Sequence, residues 1–131
     1  MSEDGSGELR QRGLEKMTEV YGWEFQDGPG DFFAYTADHL FADIWTRPGL
    51  STRDRRLLLI GMLAAQGATD VLGIQVPAAL RNGELDDEAL REIVVFLSHY
   101  AGWPVGSRLN SVVEEAIGKA QRSRTEDPGV E

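Results

Sequence analysis

The stretch at residues 57–65 (LLLIGMLAA) decides the fold, because it carries no charged or strongly polar side chain over about two and a half helical turns. Ser51 precedes it as a cap residue and Asp54 falls in the favourable first turn, an arrangement close to a capping box. These signals predict a helix that starts near Ser51 and ends around Gln66 and Gly67. Such a helix needs apolar cover on every side.

A second apolar stretch lies at residues 93–97 (IVVFL). Its β-branched residues would allow a strand on propensity alone. The acidic residues 86–88 suit a helix N-terminus, and the run continues to Ala101 before Gly102 can end it. We therefore predict a second all-round apolar helix here.

The rest of the ordered chain shows narrower apolar stripes at helical spacing. They predict further helices over residues 9–21, from Asp31 to Pro48, from Thr69 to Arg81 with Pro77 inside, and from Pro104 to about Gln121. The sequence thus predicts an all-α, single-domain bundle of about six helices over residues 8–122. Small and charged residues predict disordered tails at 1–7 and 123–131.

Composition excludes several classes of function. The chain of 131 residues has 13 Lys and Arg against 22 Asp and Glu, a formal charge of −9 that repels nucleic acid and anionic membranes. Because it has no cysteine, it can form neither a disulfide nor a thiolate site, which fits a cytoplasmic protein. With His39 and His99 as its two histidines, we predict no metal site.

The two apolar helices also predict an assembly. They need cover on all sides, whereas the amphipathic helices offer one stripe each. Apolar area should therefore stay exposed on a single copy, and such patches usually mark an assembly surface. We expect a homo-oligomer with a helical interface.

Several motifs follow one another along the chain: residues 45–51 (WTRPGLS), Arg55, residues 62–67 (MLAAQG), residues 77–83 (PAALRNG), Glu92, and residues 100–102 (YAG) with Pro104. This ordered set resembles the carboxymuconolactone decarboxylase family, in register from about residue 13 to residue 120. The resemblance implies an all-α, alkyl hydroperoxidase D-like fold and rings of identical subunits, commonly homotrimers or homohexamers.

The resemblance also implies two branches of function. One branch uses a Cys-x-x-Cys pair as a peroxidase, and this pair would fall near Ala68 and Val71, which cannot form thiolates. The other branch decarboxylates a small carboxylated lactone. In this branch a histidine commonly stands where the chain has Gln75 and another where it has Phe96. The resemblance also matches Asp43 to the family's acidic residue and Arg55 to its arginine.

Decarboxylation leaves negative charge on a conjugated carbonyl, so a site must stabilise that charge and deliver a proton. It needs no metal or organic cofactor. The candidates are Arg55 as carboxylate clamp, Gln75 as oxyanion donor, and His99 or Asp43 as proton carrier. Each candidate also has a purely structural interpretation. Asp43 could form a ladder of ion pairs with His39 and Arg47 on a solvated helix face, and Arg55 could pair with charged neighbours. Gln75 could be a buried side chain that hydrogen-bonds to the backbone, and His99 could interact favourably with the helix dipole.

Trp45, Phe96 and Tyr100 could wall a pocket for a planar ligand, although aromatic residues at helical spacing also build cores. The leading hypothesis is a lyase that acts on a small organic acid or lactone. The alternative is a non-catalytic, oligomeric binding member of the family, since a protein can keep its fold after it has lost its catalytic residues. A third hypothesis, a peroxidase-type redox protein, would need a thiol from a partner.

Overall fold

A computed structural model describes the backbone of residues 3–126 and the side chains of residues 7–125. Within these limits every regular element is a helix and none is a strand, which confirms the predicted all-α class. It has six α-helices and one π-helical segment, in the order α1 (Glu3–Tyr21), α2 (Asp31–Ala34), the π segment (Tyr35–Ile44), α3 (Thr52–Gln66), α4 (Thr69–Arg81), α5 (Asp87–Ala101) and α6 (Trp103–Glu126).

The local start and stop signals determine most of these boundaries. Ser51 Oγ accepts a hydrogen bond from the backbone N–H of Asp54 at 3.0 Å, and Asp86 Oδ1 accepts one from Ala89 at 2.8 Å. Gly102 ends α5 with a φ of 100°, a conformation that glycine adopts without steric cost. Pro77 lies inside α4 without shifting its predicted start at Thr69.

The outer helices extend further than the sequence predicted. Helix α1 begins at Glu3, inside the segment 1–7 assigned to a tail, and α6 continues to Glu126, beyond the predicted end near Gln121. Adding residues to an existing helix costs far less than nucleating a new one. Residues 1, 2 and 127–131 of the predicted tails lie outside the described residues.

The backbone forms two compact units, Met1–Arg55 and Arg56–Glu131. The predicted single domain, residues 8–122, spans both of them. In the first unit α1 packs along the π segment. Gly13 sits at this contact, where an added Cβ would fall on the carbonyl oxygen of Ala37. The absence of a side chain at Gly13 therefore allows the two backbones to approach closely.

A charged cluster also joins α1 to the π segment. Arg10 donates to both carboxylate oxygens of Asp38, at 2.6 Å and 3.2 Å, and to Asp27. Its guanidinium also lies 5.5 Å from the ring centre of Phe33. The hydrogen bonds to Asp38 and then to Asp27 raise the pKa of Arg10.

The second unit is built around one apolar core. Helix α6 packs against both α4 and α5, and thirteen buried apolar residues fill the space: Ile60, Leu63, Ala64, Leu72, Val76, Ala79, Leu85, Leu90, Val94, Leu109, Val113, Ala116 and Ile117. Gly106 of α6 comes so close to Ser98 of α5 that a Cβ there would meet the Ser98 side chain. This core is the frame that positions the polar groups of α3 and α4.

Both all-round apolar stretches leave part of their surface uncovered. Leu58 of α3 is 64% exposed and Phe96 of α5 is 59% exposed, and Met62 and Val95 are also exposed. The apolar area that the sequence predicted to stay open on one copy is therefore present. None of the described helices combines the length and the apolar character that a membrane crossing requires.

Candidate active site

A buried arginine lies near the start of α3. Arg56 has no solvent exposure, although it follows the exposed residues Arg53 and Asp54. It shares the inward face of α3 with Ile60 and Leu63, which lie four and seven residues further along the helix. The apolar stripe therefore carries one charged side chain into the interior, and burial of a charge requires partners.

Two side chains supply those partners. Arg56 Nε and Nη2 donate to the two carboxylate oxygens of Glu84, at 2.7 Å and 3.1 Å. Arg56 Nη1 donates to Gln75 Oε1 at 2.6 Å. Glu84 follows α4 in the turn that Gly83 makes with a φ of 72°, and its side chain is only 10% exposed. Arg56, Gln75 and Glu84 thus form a polar cluster inside the second unit.

The amide of Gln75 has a defined direction in this cluster. Because arginine is only a donor, the atom that faces Arg56 must be the amide oxygen, and the amide NH₂ points away from it. Gln75 is 3% exposed, and its Nε2 donates to no other described residue. Among the described residues no fully buried side-chain nitrogen or oxygen lacks a partner, so this NH₂ must reach solvent. The N–H groups of Gln75 are therefore not engaged by the described residues.

Three predicted site residues belong to the first unit. The exposed Asp43, in the π segment, lies 3.8 Å from His39 Nδ1, the contact expected of a solvated ladder. Trp45 is buried and stacks on Phe41, with ring centres 5.8 Å apart and planes 4° from parallel. Arg55 Nη1 donates to the backbone carbonyls of Trp45 and Leu50. Arg55 therefore connects the first turn of α3 to the backbone of the turn that precedes it.

The other three lie on α5 in the second unit. Phe96 and Tyr100 are exposed, and their ring centres are 5.1 Å apart. His99 is also exposed, with Nδ1 2.7 Å from the carbonyl oxygen of Val95 and its ring edge-on to Trp103. A carbonyl can only accept, so Nδ1 carries the proton and Nε2 of the neutral ring is left as a proton acceptor.

Comparison with known proteins agrees with this architecture. The model of the carboxymuconolactone decarboxylase family matches residues 30–115, which include α2 to α5 and the Arg56 cluster. A 4-carboxymuconolactone decarboxylase from Acinetobacter baylyi is 33% identical over 115 residues, covering 82% of this chain and 85% of the relative. The chain belongs to the carboxymuconolactone decarboxylase family.

A shorter match extends the range of relatives. A nitrosuccinic acid decarboxylase from Metarhizium robertsii is 38% identical over 61 residues, covering 47% of this chain and 42% of that protein. Both relatives are named as decarboxylases of small carboxylated compounds. This chain is accordingly a decarboxylase-like member of the carboxymuconolactone decarboxylase family.

The residues that sequence reasoning missed are Arg56 and Glu84. The resemblance to the carboxymuconolactone decarboxylase family pointed to Arg55, one position earlier. The signal that could have found Arg56 is its spacing, because it lies four residues before the buried Ile60 whereas Arg55 does not. Glu84 carried no comparable signal, since it follows an Asn-Gly turn where acidic residues are common surface features.

The seven predicted residues fall into separate groups. Asp43, Trp45 and Arg55 belong to the first unit, and Gln75, Phe96, His99 and Tyr100 belong to the second. Phe96 and Tyr100 contact each other on α5, whereas Gln75 bonds to Arg56. No group of three or more His, Cys, Asp or Glu in residues 7–125 has the geometry of a metal site. Of the seven, Gln75 is the one that is buried and hydrogen-bonded to a buried charged side chain.

Proposed function

We propose that this chain is a cofactor-independent carbon–carbon lyase that decarboxylates a small carboxylated lactone or another enolisable acid. Its membership of the carboxymuconolactone decarboxylase family and the names of its relatives support the reaction type. The observation that carries the proposal is the Gln75 amide, which is held on one side by Arg56 and presents its NH₂ on the other.

The proposed chemistry has two steps. The bond between the substrate carbon and its carboxylate breaks, carbon dioxide leaves, and the electron pair stays on the substrate as an enolate conjugated with a carbonyl. A proton then adds to that carbon. The first step needs hydrogen-bond donors at the developing enolate oxygen, and the second needs an acid.

Gln75 fits the first requirement. Its Nε2 carries the donors, and the surrounding core excludes most water, which strengthens the interaction with a developing negative charge. An amide cannot supply the proton near neutral pH. The proton must therefore come from a second group, for which we propose His99 or Asp43.

The other proposed roles follow from the available atoms. Arg55 Nη1 is occupied by backbone carbonyls, so Arg55 would hold a substrate carboxylate through Nε and Nη2. His99 would use Nε2, which its contact with Val95 leaves unoccupied, and this nitrogen would take up a proton from water before it delivers one to the substrate carbon. The aromatic side chains of Trp45, Phe96 and Tyr100 are each suited to contact with a planar substrate ring.

Replacing Gln75 by leucine should lower kcat for 4-carboxymuconolactone by about 10²- to 10³-fold, because this change removes one oxyanion donor while keeping a side chain of similar size. The measurement is the loss of conjugated absorbance together with release of carbon dioxide from substrate labelled at the carboxylate. Gln66→Leu is the matched control, since Gln66 is an exposed residue at the end of α3. A wild-type chain that releases no carbon dioxide above background would contradict the proposed function.

A non-catalytic, oligomeric binding protein is the second candidate function. The exposed apolar residues Leu58, Met62, Val95 and Phe96 favour it, because such a surface suits a partner. A peroxidase-type role has no such support, since the chain has no cysteine. Measurable consumption of hydrogen peroxide by the isolated chain would revive it.

We further propose that a second copy of this chain covers the exposed apolar surface, as in a homotrimer or homohexamer. Phe96→Glu should then lower the mass measured by light scattering at micromolar concentration, because it places a charge in an apolar interface. Gln66→Glu, which adds one negative charge at an exposed polar residue of α3, is the control for added charge. A wild-type chain that is monomeric at this concentration would contradict the proposal.

A further inference from the structure

We propose that Arg56 is a positioning residue, which fixes the Gln75 amide so that the site binds a ligand oxygen that accepts hydrogen bonds, such as a carboxylate or enolate oxygen. This inference rests on the proposed function for the role of the site, and it names the ligand chemistry that the site selects. A side chain that no sequence motif assigned would thus determine specificity.

The direction of the amide is the first step. A free glutamine can present either its oxygen or its NH₂ to a ligand, because rotation of the terminal group exchanges them. Arg56 removes this choice: its Nη1 lies 2.6 Å from Oε1, and an NH₂ in that place would put two donors together. Gln75 therefore faces a ligand only as a donor.

The rigidity of Arg56 is the second step. Glu84 holds Nε and Nη2 through both carboxylate oxygens, and Asn82 Nδ2 donates to Glu84 Oε2 at 3.1 Å. The guanidinium is therefore fixed before a ligand arrives, which is the condition for a preorganised donor.

The charge of the cluster is the third step. Arg56 and Glu84 neutralise each other, so the pair adds no net charge that would repel or attract a ligand at long range. The hydrogen bond from a cationic donor to Oε1 instead polarises the amide and strengthens its N–H groups as donors. An anionic oxygen gains most from this effect.

The test is a spectroscopic one on the full-length, ¹⁵N-labelled chain. The Gln75 side-chain NH₂ signals are identified by their absence in Gln75→Glu, and they are followed during titration with succinate, a small dicarboxylate probe. In the wild type we expect succinate to move these signals. In the double variant Arg56→Met with Glu84→Leu, which removes both charges together, they should move toward those of the exposed Gln66. Succinate affinity should fall about 10-fold, the effect of one charge-assisted hydrogen bond.

A conservative variant separates positioning from simple packing. Arg56→Lys keeps a cationic donor for Oε1 and should retain the wild-type response of the Gln75 signals to succinate. Unchanged Gln75 signals and unchanged succinate affinity in the folded double variant would overturn the inference. Because these signals are read without turnover, an inactive chain whose Gln75 signals behave as stated would overturn the proposed function alone.

Discussion

Replacing Glu84 by leucine should lower the free energy of unfolding by about 3–5 kcal/mol, the usual cost of removing one partner from a buried ion pair. The change leaves Arg56 without its carboxylate at a position with no solvent exposure. The hydrogen bond to Gln75 remains, but a neutral amide oxygen does not replace the carboxylate that Glu84 supplies. Urea denaturation followed by circular dichroism measures the effect.

Two variants make this result specific. The double variant Arg56→Met with Glu84→Leu should recover most of the lost stability, because the buried guanidinium and its carboxylate are then removed together. Glu114→Leu breaks a pair of the same geometry, in which Arg91 Nε and Nη2 donate to Glu114 at 2.8 Å and 2.9 Å. That pair is about half exposed, so we expect a much smaller change. If Glu84→Leu and Glu114→Leu lower the free energy of unfolding equally, burial is not the reason for the large effect at Glu84.

The exposed pair also has a predictable pH dependence. Its hydrogen bonds from Arg91 lower the pKa of Glu114 in the folded chain. Any stability from this pair is therefore fully present above the ordinary pKa of a glutamate and is lost as the pH falls through the lowered, folded value. A comparison of Glu114→Leu with Glu84→Leu is best made near neutral pH for this reason.

Replacing Gly13 by alanine should destabilise the chain by about 1–3 kcal/mol or more, the cost of overpacking a tight contact. Helix propensity alone predicts the opposite sign, a gain of about 1 kcal/mol for a helical Gly→Ala change. The structure overrides this gain because the new Cβ would fall on the carbonyl oxygen of Ala37, and a backbone atom of the π segment cannot move aside as a side chain can. Thermal or chemical denaturation gives the sign directly.

Gly118→Ala is the matched control. Gly118 also lies inside a helix, α6, but the nearest atom to its added Cβ is Arg122 Nη1 at 3.4 Å, the tip of a flexible side chain. Here the propensity gain should remain, so stability should rise by up to about 1 kcal/mol. A stabilised Gly13→Ala chain would show that α1 does not approach the π segment as closely as described.

Local signals made most of the fold predictable from sequence. The caps at Ser51 and Asp86 and the stop at Gly102 depend on residues within one turn of the helix end, and all three lie where the sequence placed them. The π segment was not predictable, because the residue pattern from Phe33 to Trp45 suits an α-helix equally well. Gly30 occupies the N-cap position of α2, and Asp31, where the sequence placed the helix start, is its first helical residue.

The site was less predictable because its contacts are distant in sequence. Arg56 reaches Gln75 across 19 positions and Glu84 across 28, and no local pattern encodes such a pairing. A resemblance transfers residue identities at matched positions, so it selected Gln75 and Arg55. It could not show that the neighbouring Arg56 enters the core, since this depends on which face of α3 turns inward.

The π segment also has a consequence for how this part of the chain can change in evolution. Its N–H groups donate to carbonyl oxygens five residues back, as Trp45 N does to Leu40 O at 2.9 Å. Each turn is therefore wider and holds more residues than a turn of an α-helix, while the backbone groups keep their hydrogen-bond partners. Loss of one residue between Tyr35 and Ile44 can return a turn to α-helical pairing. Length variation of a single residue is therefore tolerable here, whereas within α3 it would rotate Arg56 out of the core.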